Sequence, residues 1–144
     1  HAPPSNRARV MKQSVARNHR AYQKRNTERM AARHVWQTYF RDHDAFVMPV
    51  DFIPAFPKDE SAFMARTLKT SVGERPYFDL LYWISFATLT GLPATVAPVG
   101  LKDGGLPVGA QIMGPFLEDA TPIDIAAKLA NEIGGFQAPP GYGA

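Results

Sequence analysis

The chain has 144 residues, the size of one ordinary domain, and this length is sufficient to bury a hydrophobic core. Apolar residues make up 45% and charged residues 20%, a balance that excludes a disordered tail and a coiled coil. The chain has no cysteine, which excludes a disulfide framework, thiolate metal sites and thiol catalysis. This composition is consistent with a reducing compartment, and we expect a cytoplasmic protein.

The net charge of +3 conceals a strong asymmetry along the chain. Residues 1–43 carry ten Lys and Arg against two acids, whereas residues 44–144 carry six against eleven. Such a split is typical either of a basic arm for nucleic acid or anionic membrane, or of a basic helical face that packs against an acidic body. Because apolar residues interrupt the basic run throughout, we favour the second interpretation.

The start of the chain and its longest uncharged run bear on targeting. It begins with His1 rather than Met, and no charged-then-apolar segment follows, so we expect no signal peptide and a piece of a longer protein. The uncharged run at 80–101 resembles a membrane span, but Gly91, Pro93 and Pro98 divide it into pieces too short for about 30 Å of hydrocarbon. A buried helix followed by a buried strand is predicted instead, with no membrane partner.

Residues 1–43 predict two helices, at about 5–23 and 27–42. Ser5 and the pair Asn26-Thr27 offer N-caps, and apolar residues recur at three- and four-residue steps in both segments. Most of the arginines are expected to project from the face opposite to these apolar residues.

A short apolar run at 44–50 predicts a buried strand after a charged break. Prolines keep the next segment, 51–57, extended, so it is predicted to be a loop at the end of a strand, where binding residues are often found. Residues 58–76 are polar and predict at most one weak helix near 59–70.

The second half of the chain has clearer signals. Helical spacing of apolar residues over 77–90 predicts a helix that Gly91 ends as a C-cap. Strands at 94–101 and 107–113 flank the turn Lys102-Asp103-Gly104-Gly105, which predicts a hairpin.

A last helix is predicted to begin with Asp119 or Thr121 as its cap and to end at the glycine pair 134–135. In the second strand of the hairpin, the Gln111 amide is expected to hydrogen bond to backbone groups near the hairpin.

The usual catalytic constellations are missing. The histidines have no metal-binding spacing, and the glycine-rich stretch at 100–109 matches neither phosphate-binding pattern. None of the five serines lies in a Gly-x-Ser-x-Gly or Ser-x-x-Lys motif. We therefore expect no metal, no cofactor and no catalytic residue within this chain.

Two linked motifs resemble a known family. Residues 82–100 read YWISFATLTGLPATVAPVG, and residues 105–115 read GLPVGAQIMGP. The pair is similar to the C-terminal region of the amidase signature family, in which a helix leads into a G-x-P-A strand, a turn and an L-P-x-G-x-Q-x-x-G strand. The run from Asp44 to Pro49 also resembles the family's D-x-x-x-x-P strand. The resemblance covers about 44–136 well and the helices before it loosely.

This resemblance implies an α/β fold, with a mixed β-sheet covered by helices, of which residues 44–144 form the C-terminal part and residues 1–43 a basic helical segment. It implies hydrolysis of amide C–N bonds by a Ser nucleophile, a bridging Ser and a Lys base. The family carries these residues in an N-terminal half, and no Ser-Ser pair occurs here. The catalytic Ser-Ser-Lys residues are therefore expected outside this chain.

The resemblance also implies that this region supplies part of the wall of the acyl pocket, for an apolar or aromatic group. By position it indicates seven lining residues: Phe52, Ile53, Phe56, Trp83, Ile84, Ala87 and Thr88. The expected partners are the N-terminal portion of the same enzyme and a small amide substrate; a homodimer stays open. Two alternatives remain: a glutamyl-tRNA amidotransferase A-like subunit, and a non-catalytic fragment whose basic helices bind nucleic acid.

Overall fold

The computed structural model describes residues 9, 12–13, 15–16, 18–102, 105–138 and 141–142. Its first complete element is helix α1, His19–Tyr39. Asn18 is the N-cap, and its side-chain oxygen accepts a hydrogen bond from the Ala21 N–H at 3.0 Å. The part of the predicted helix 5–23 that precedes residue 18 lies largely outside the described residues.

The predicted helix boundary at Asn26-Thr27 is wrong. Both residues lie inside α1, and their side chains hydrogen bond to groups of the same helix instead of capping a new one. The Thr27 hydroxyl donates to the Gln23 backbone carbonyl four residues earlier, and the side-chain oxygen Oδ1 of Asn26 accepts from the Arg29 guanidinium. The helix also ends at Tyr39 rather than at 42.

Arg33 is an exception to the expected outward placement of most arginines. Arg33 lies on the packed side, where its Nε donates to the Thr90 carbonyl at 2.5 Å and its guanidinium stacks 3.9 Å from the Phe116 ring centroid. Arg25, two turns earlier, is exposed and pairs with Glu28 at 2.7 Å, as expected for the outward face. The contacts of Arg33 therefore place this arginine, and not a whole row of arginines, on the packed side.

A three-stranded antiparallel sheet is formed by β1 (Phe46–Pro49), β4 (Ala94–Leu101) and β5 (Pro107–Met113), in the order β1-β5-β4. In the register, Met48 and Val96 both lie opposite Gln111 on the central strand. The predicted strand near 44–50 and the predicted hairpin are confirmed. A bulge between Pro98 and Gly100 interrupts the pairing.

The weak helix predicted near 59–70 is wrong. Residues Phe63–Ala65 form one 3₁₀ turn, and a second hairpin follows, made of β2 (Thr67–Thr70) and β3 (Gly73–Pro76). Gly73 adopts a φ of +114°, which the tight turn between the strands requires. Leu68 is buried, with 2% of its surface exposed, and anchors β2.

The uncharged run at 80–101 is a helix followed by a strand, as predicted. The prediction that both are buried is wrong, because much of their apolar surface is uncovered in the described chain, with Tyr82 58% and Val96 56% exposed. A 3₁₀ turn, Tyr77–Leu80, leads into helix α2 (Leu81–Thr90), which Gly91 ends in the left-handed conformation. Helix α3 (Ala120–Ile133) starts after Asp119 and ends at Gly134. The Asp119 side chain makes no capping hydrogen bond. No helix of the described residues is both long and apolar enough to cross a bilayer.

The core lies where the first two helices meet the sheet. Four buried residues form its centre, and aromatic side chains of α1, β1 and α2 pack around them. The buried residues are Met48, Ala87, Leu92 and Met113. Helix α3 packs along β4 and β5, and Pro122 lies close to Gly114. The predicted α/β class is confirmed.

The environment of Gln111 differs from the prediction. Its side chain is buried, and its amide nitrogen lies 3.8 Å from the Met48 sulfur instead of binding backbone groups near the hairpin. The reason is the register, which places Met48 directly opposite Gln111 on the central strand.

Candidate functional site

The loop that follows β1 forms the wall of two adjacent cavities. One, of about 420 Å³, lies between the loop and the ends of β4 and β5. The other, of about 490 Å³, lies between the loop and β2. The loop residues 52–55 and Lys102 line both. The sizes are those of small-molecule sites.

Arg75 on β3 contacts both this loop and the 3₁₀ turn before α2. Its guanidinium lies 5.2 Å from the Phe52 ring centroid and forms an ion pair with Asp79 at 3.1 Å. The Asp79 side chain is largely buried, with 13% exposed, so this pair is better shielded than the surface pairs of the chain. One side chain on β3 therefore holds both the loop and the 3₁₀ turn before α2.

Aromatic rings make a second connection between the loop and the start of α2. Phe56 meets Tyr77 edge to face with a centroid distance of 6.0 Å, and Phe63 meets Tyr77 in the same way at 5.6 Å. Edge-to-face contacts of this kind favour one arrangement of the rings. The loop is thus held in place at both of its aromatic residues.

Asp51 is the acidic residue at the edge of the first cavity. Desolvation by burial raises the pKa of its carboxyl group, and the hydrogen bond that it accepts from the Phe52 N–H at 2.7 Å partly opposes this rise. Because the Asp51 carboxylate accepts a hydrogen bond from the next residue of its own loop, it stabilises the conformation of that loop.

The seven residues predicted from the resemblance do not meet in one cavity of the described chain. Phe52 and Ile53 line both cavities, and Phe56 lines the second. Ala87 and Thr88 line a separate cavity of about 460 Å³, beside Leu117 and Asp119.

The remaining two predicted residues, Trp83 and Ile84, line none of these three cavities. Trp83 packs against the hydrophobic core, and Ile84 is on the outer side of α2 with 36% of its surface exposed. The Ile84 carbonyl accepts a hydrogen bond from the Thr88 hydroxyl at 2.8 Å. Their role in substrate binding stays a prediction.

The polar wall of the second cavity was not predicted from the sequence. That wall comes from β2 and from the turn after β4, and it consists of Thr67, Lys69, Thr70, Ser71 and Lys102. The β-branched residues at 67, 70 and 72, with Gly73 after them, were a signal for this hairpin.

The described residues contain no assembled nucleophile and base. The Ser85 hydroxyl donates to the Tyr82 carbonyl within α2, and no described serine hydroxyl bonds to a lysine amine or a histidine ring. No group of three or more metal-binding side chains occurs in the described part of the chain. What the site offers chemically is therefore an apolar wall with adjacent cations.

Comparison with known proteins identifies the family. The model of the family described as Amidase matches residues 3–122. The chain belongs to the amidase family. The resemblance of residues 44–136 to the C-terminal portion of an amidase signature enzyme is thus confirmed.

Two curated relatives and one solved structure illustrate the match. The chain is 32% identical over 110 residues to the A subunit of glutamyl-tRNA(Gln) amidotransferase from Salinibacter ruber, covering 75% of this chain and 20% of the relative. It is 33% identical over 92 residues to fatty acid amide hydrolase of Arabidopsis thaliana, covering 62% and 14%. A crystal structure described as an amidase superposes with a TM-score of 0.69 at 21% identity, covering 91% of this chain and 29% of that one.

The chain thus spans 20% and 14% of the length of these two curated relatives. The superposition supports the fold, and the family membership supports amide chemistry in general.

Proposed function

We propose that the complete protein hydrolyses amide C–N bonds, with water adding to the acyl carbon and the amine leaving with a proton. The observation that carries this proposal is the family match over residues 3–122. The relatives include proteins named as amide hydrolases, such as the fatty acid amide hydrolase of Arabidopsis thaliana.

In this proposal the Ser nucleophile, the bridging Ser and the Lys base lie outside residues 1–144. Ser attack on the acyl carbon breaks the C–N bond, the base transfers the proton to the leaving amine, and water then releases the acid. The basic segment 1–43 and the α/β part 44–144 together supply sheet, core and part of the acyl-pocket wall. A cytoplasmic location, expected from the composition, belongs to the same proposal.

The loop after β1 is the part of this chain that we assign to substrate binding. Its apolar side chains Phe52, Ile53 and Phe56 line cavities, and Arg75 and Tyr77 hold it in place. A wall that is fixed before binding positions an acyl group at a low entropic cost. Ala87 and Thr88 on α2 are proposed to line the same substrate path from a second side.

Two alternative functions keep specific support. Several relatives are named as the A subunit of glutamyl-tRNA(Gln) amidotransferase, which favours an amidotransferase component. A fragment that binds nucleic acid is favoured by the exposed cations of α1, such as Lys24 and Arg25. Binding of that kind weakens steeply with salt, so a salt titration of RNA binding separates it from the hydrolase proposal.

The complete protein is expected to hydrolyse a simple aryl amide such as pentanoyl-p-nitroanilide, followed by release of p-nitroaniline. Residues 1–144 alone are expected to release none, because they lack the nucleophile and the base. Turnover by residues 1–144 alone would contradict the proposal, and so would an inactive complete protein.

A further inference from the structure

Phe52 is a loop residue that is fixed at two points. Its backbone N–H donates to the Asp51 carboxylate at 2.7 Å, and its ring centroid lies 5.2 Å from the guanidinium carbon of Arg75. The first contact comes from the preceding residue of the loop, whereas the second comes from β3. Phe52 lines both cavities beside the loop. The position of its ring at these cavities therefore depends on a residue of another element.

We propose that Arg75 is a positioning residue for acyl binding, which acts through the ring of Phe52 and not on the acyl group itself. The inference rests on the proposed function, in which Phe52 belongs to the wall of the acyl pocket, and it adds a residue that lies outside that wall. Arg75 lines none of the three cavities described above. Its contribution is therefore to the shape of the wall.

The hairpin register places Arg75 on the face of the hairpin that is turned to the loop. Arg75 lies directly opposite Leu68, and residues paired in this way extend their side chains from the same face. Leu68 is buried, with 2% of its surface exposed, and lines the second cavity. Arg75 and Phe52 are therefore in contact on the side of the hairpin where that cavity lies.

Asp79 fixes the orientation of the Arg75 guanidinium. Both Nε and Nη2 of Arg75 lie 3.1 Å from Oδ2 of Asp79, so two nitrogens of one planar group converge on one oxygen. The Asp79 side chain is 13% exposed, and an ion pair that is partly shielded from water is stronger than one at the surface. The guanidinium thus presents its charge to the Phe52 ring before any ligand binds.

The contact with Arg75 restricts the positions that the Phe52 ring can occupy in the free protein. A cation beside an aromatic ring at a partly exposed site changes an equilibrium by about two- to fivefold. Without this contact the ring has to be ordered during binding, and that cost lowers the affinity for the acyl group. Because Arg75 does not contact the reacting groups in this proposal, its loss is expected to change KM and not kcat.

The test is a double-mutant cycle in the complete protein, with pentanoyl-p-nitroanilide as the substrate. Arg75→Met removes the charge and keeps an unbranched side chain, and it is expected to raise KM about three- to fivefold, with kcat within about twofold. Phe52→Leu keeps an apolar wall but has no aromatic face. In the Phe52→Leu background, Arg75→Met is expected to leave KM unchanged, because the ring through which Arg75 acts is absent.

Asp79→Asn is the second variant, since it keeps the shape of the side chain and removes the charge that orients Arg75. It is expected to raise KM about twofold, again only when Phe52 is present, and it replaces Arg75→Met in the cycle if that variant does not fold. Lys128→Met is the matched control. Lys128 also pairs with an acid four residues away, Asp124 at 2.6 Å, but lines none of the three cavities, so its KM is expected to stay unchanged.

An unchanged KM in Arg75→Met would overturn the inference, and so would an equal rise in both Phe52 backgrounds. Either result leaves the hydrolase proposal intact, because the wild-type protein still hydrolyses the amide. If the complete protein does not hydrolyse it, the hydrolase proposal fails, and calorimetric titration with the same anilide decides the role of Arg75. Binding that is weakened by Arg75→Met, but not in the Phe52→Leu background, supports that role, whereas equal affinities or no binding overturn it.

Discussion

Replacing Trp36 by Ala is expected to lower the free energy of unfolding by about 3 kcal/mol or more, the range for large aromatic truncations in a packed core. Trp36 joins three elements: its ring lies 5.1 Å from Phe46 on β1 and 6.1 Å from Phe86 on α2, by centroid distance. The truncation leaves a cavity between these rings that the backbone of a helix and a sheet cannot close.

The matched control for Trp36→Ala is Tyr22→Ala on the same helix. The Tyr22 side chain is 61% exposed, so its removal is expected to change stability by no more than about 0.5 kcal/mol. Urea unfolding followed by far-UV circular dichroism measures both variants, with the slope m compared to exclude a change in the denatured state. Equal losses in the two variants would mean that α1 does not pack as described.

Replacing Met113 by Ala is the second change with a large expected effect, about 2–5 kcal/mol. Met113 is fully buried at the end of the central strand, in one cluster with Met48, Ala87 and Leu92. Its pairing partners are Phe46 on one side and Ala94 on the other, so a cavity there weakens both strand neighbours.

Met64→Ala is the control for Met113→Ala, because it removes the same atoms from a side chain that is 47% exposed in a 3₁₀ turn. The same unfolding measurement applies. A loss at Met113 no larger than the loss at Met64 would contradict the central position of β5 in the sheet.

The sequence predicts elements well where the local signal and the long-range packing agree. The hairpin of β4 and β5 has the glycine-rich turn sequence that a tight reversal requires, and both of its strands are rich in apolar residues. Helix α2 ends at Gly91 in the left-handed conformation, as a glycine followed by Leu-Pro predicts. The family motifs occupy these same residues, which is why the resemblance was specific.

The errors come from residues whose local preference is overridden. Asn26 and Thr27 are good caps, yet inside α1 their side chains bond to neighbours one turn away and the helix continues. In the second hairpin the strands are four residues long and polar, so neither a period of two nor a period of 3.6 stands out.

The candidate site was predicted in part, for a similar reason. A proline-bounded loop after a strand is visible in sequence, and Phe52 and Ile53 do line cavities. The opposite wall is built from β2 and from Lys102, segments that lie far apart in the chain. Their proximity depends on tertiary packing, which a single sequence does not reveal.

We propose that the nucleophilic serine of this amidase family member lies outside residues 1–144. The most direct test treats the complete protein with a phosphonofluoridate probe, which reacts with activated serines, and locates the modified peptide by mass spectrometry. We predict one modified serine, outside residues 1–144, together with loss of amide hydrolysis. Modification of a serine of this chain, such as Ser71 or Ser85, with the same loss of activity would contradict the proposed position of the nucleophile.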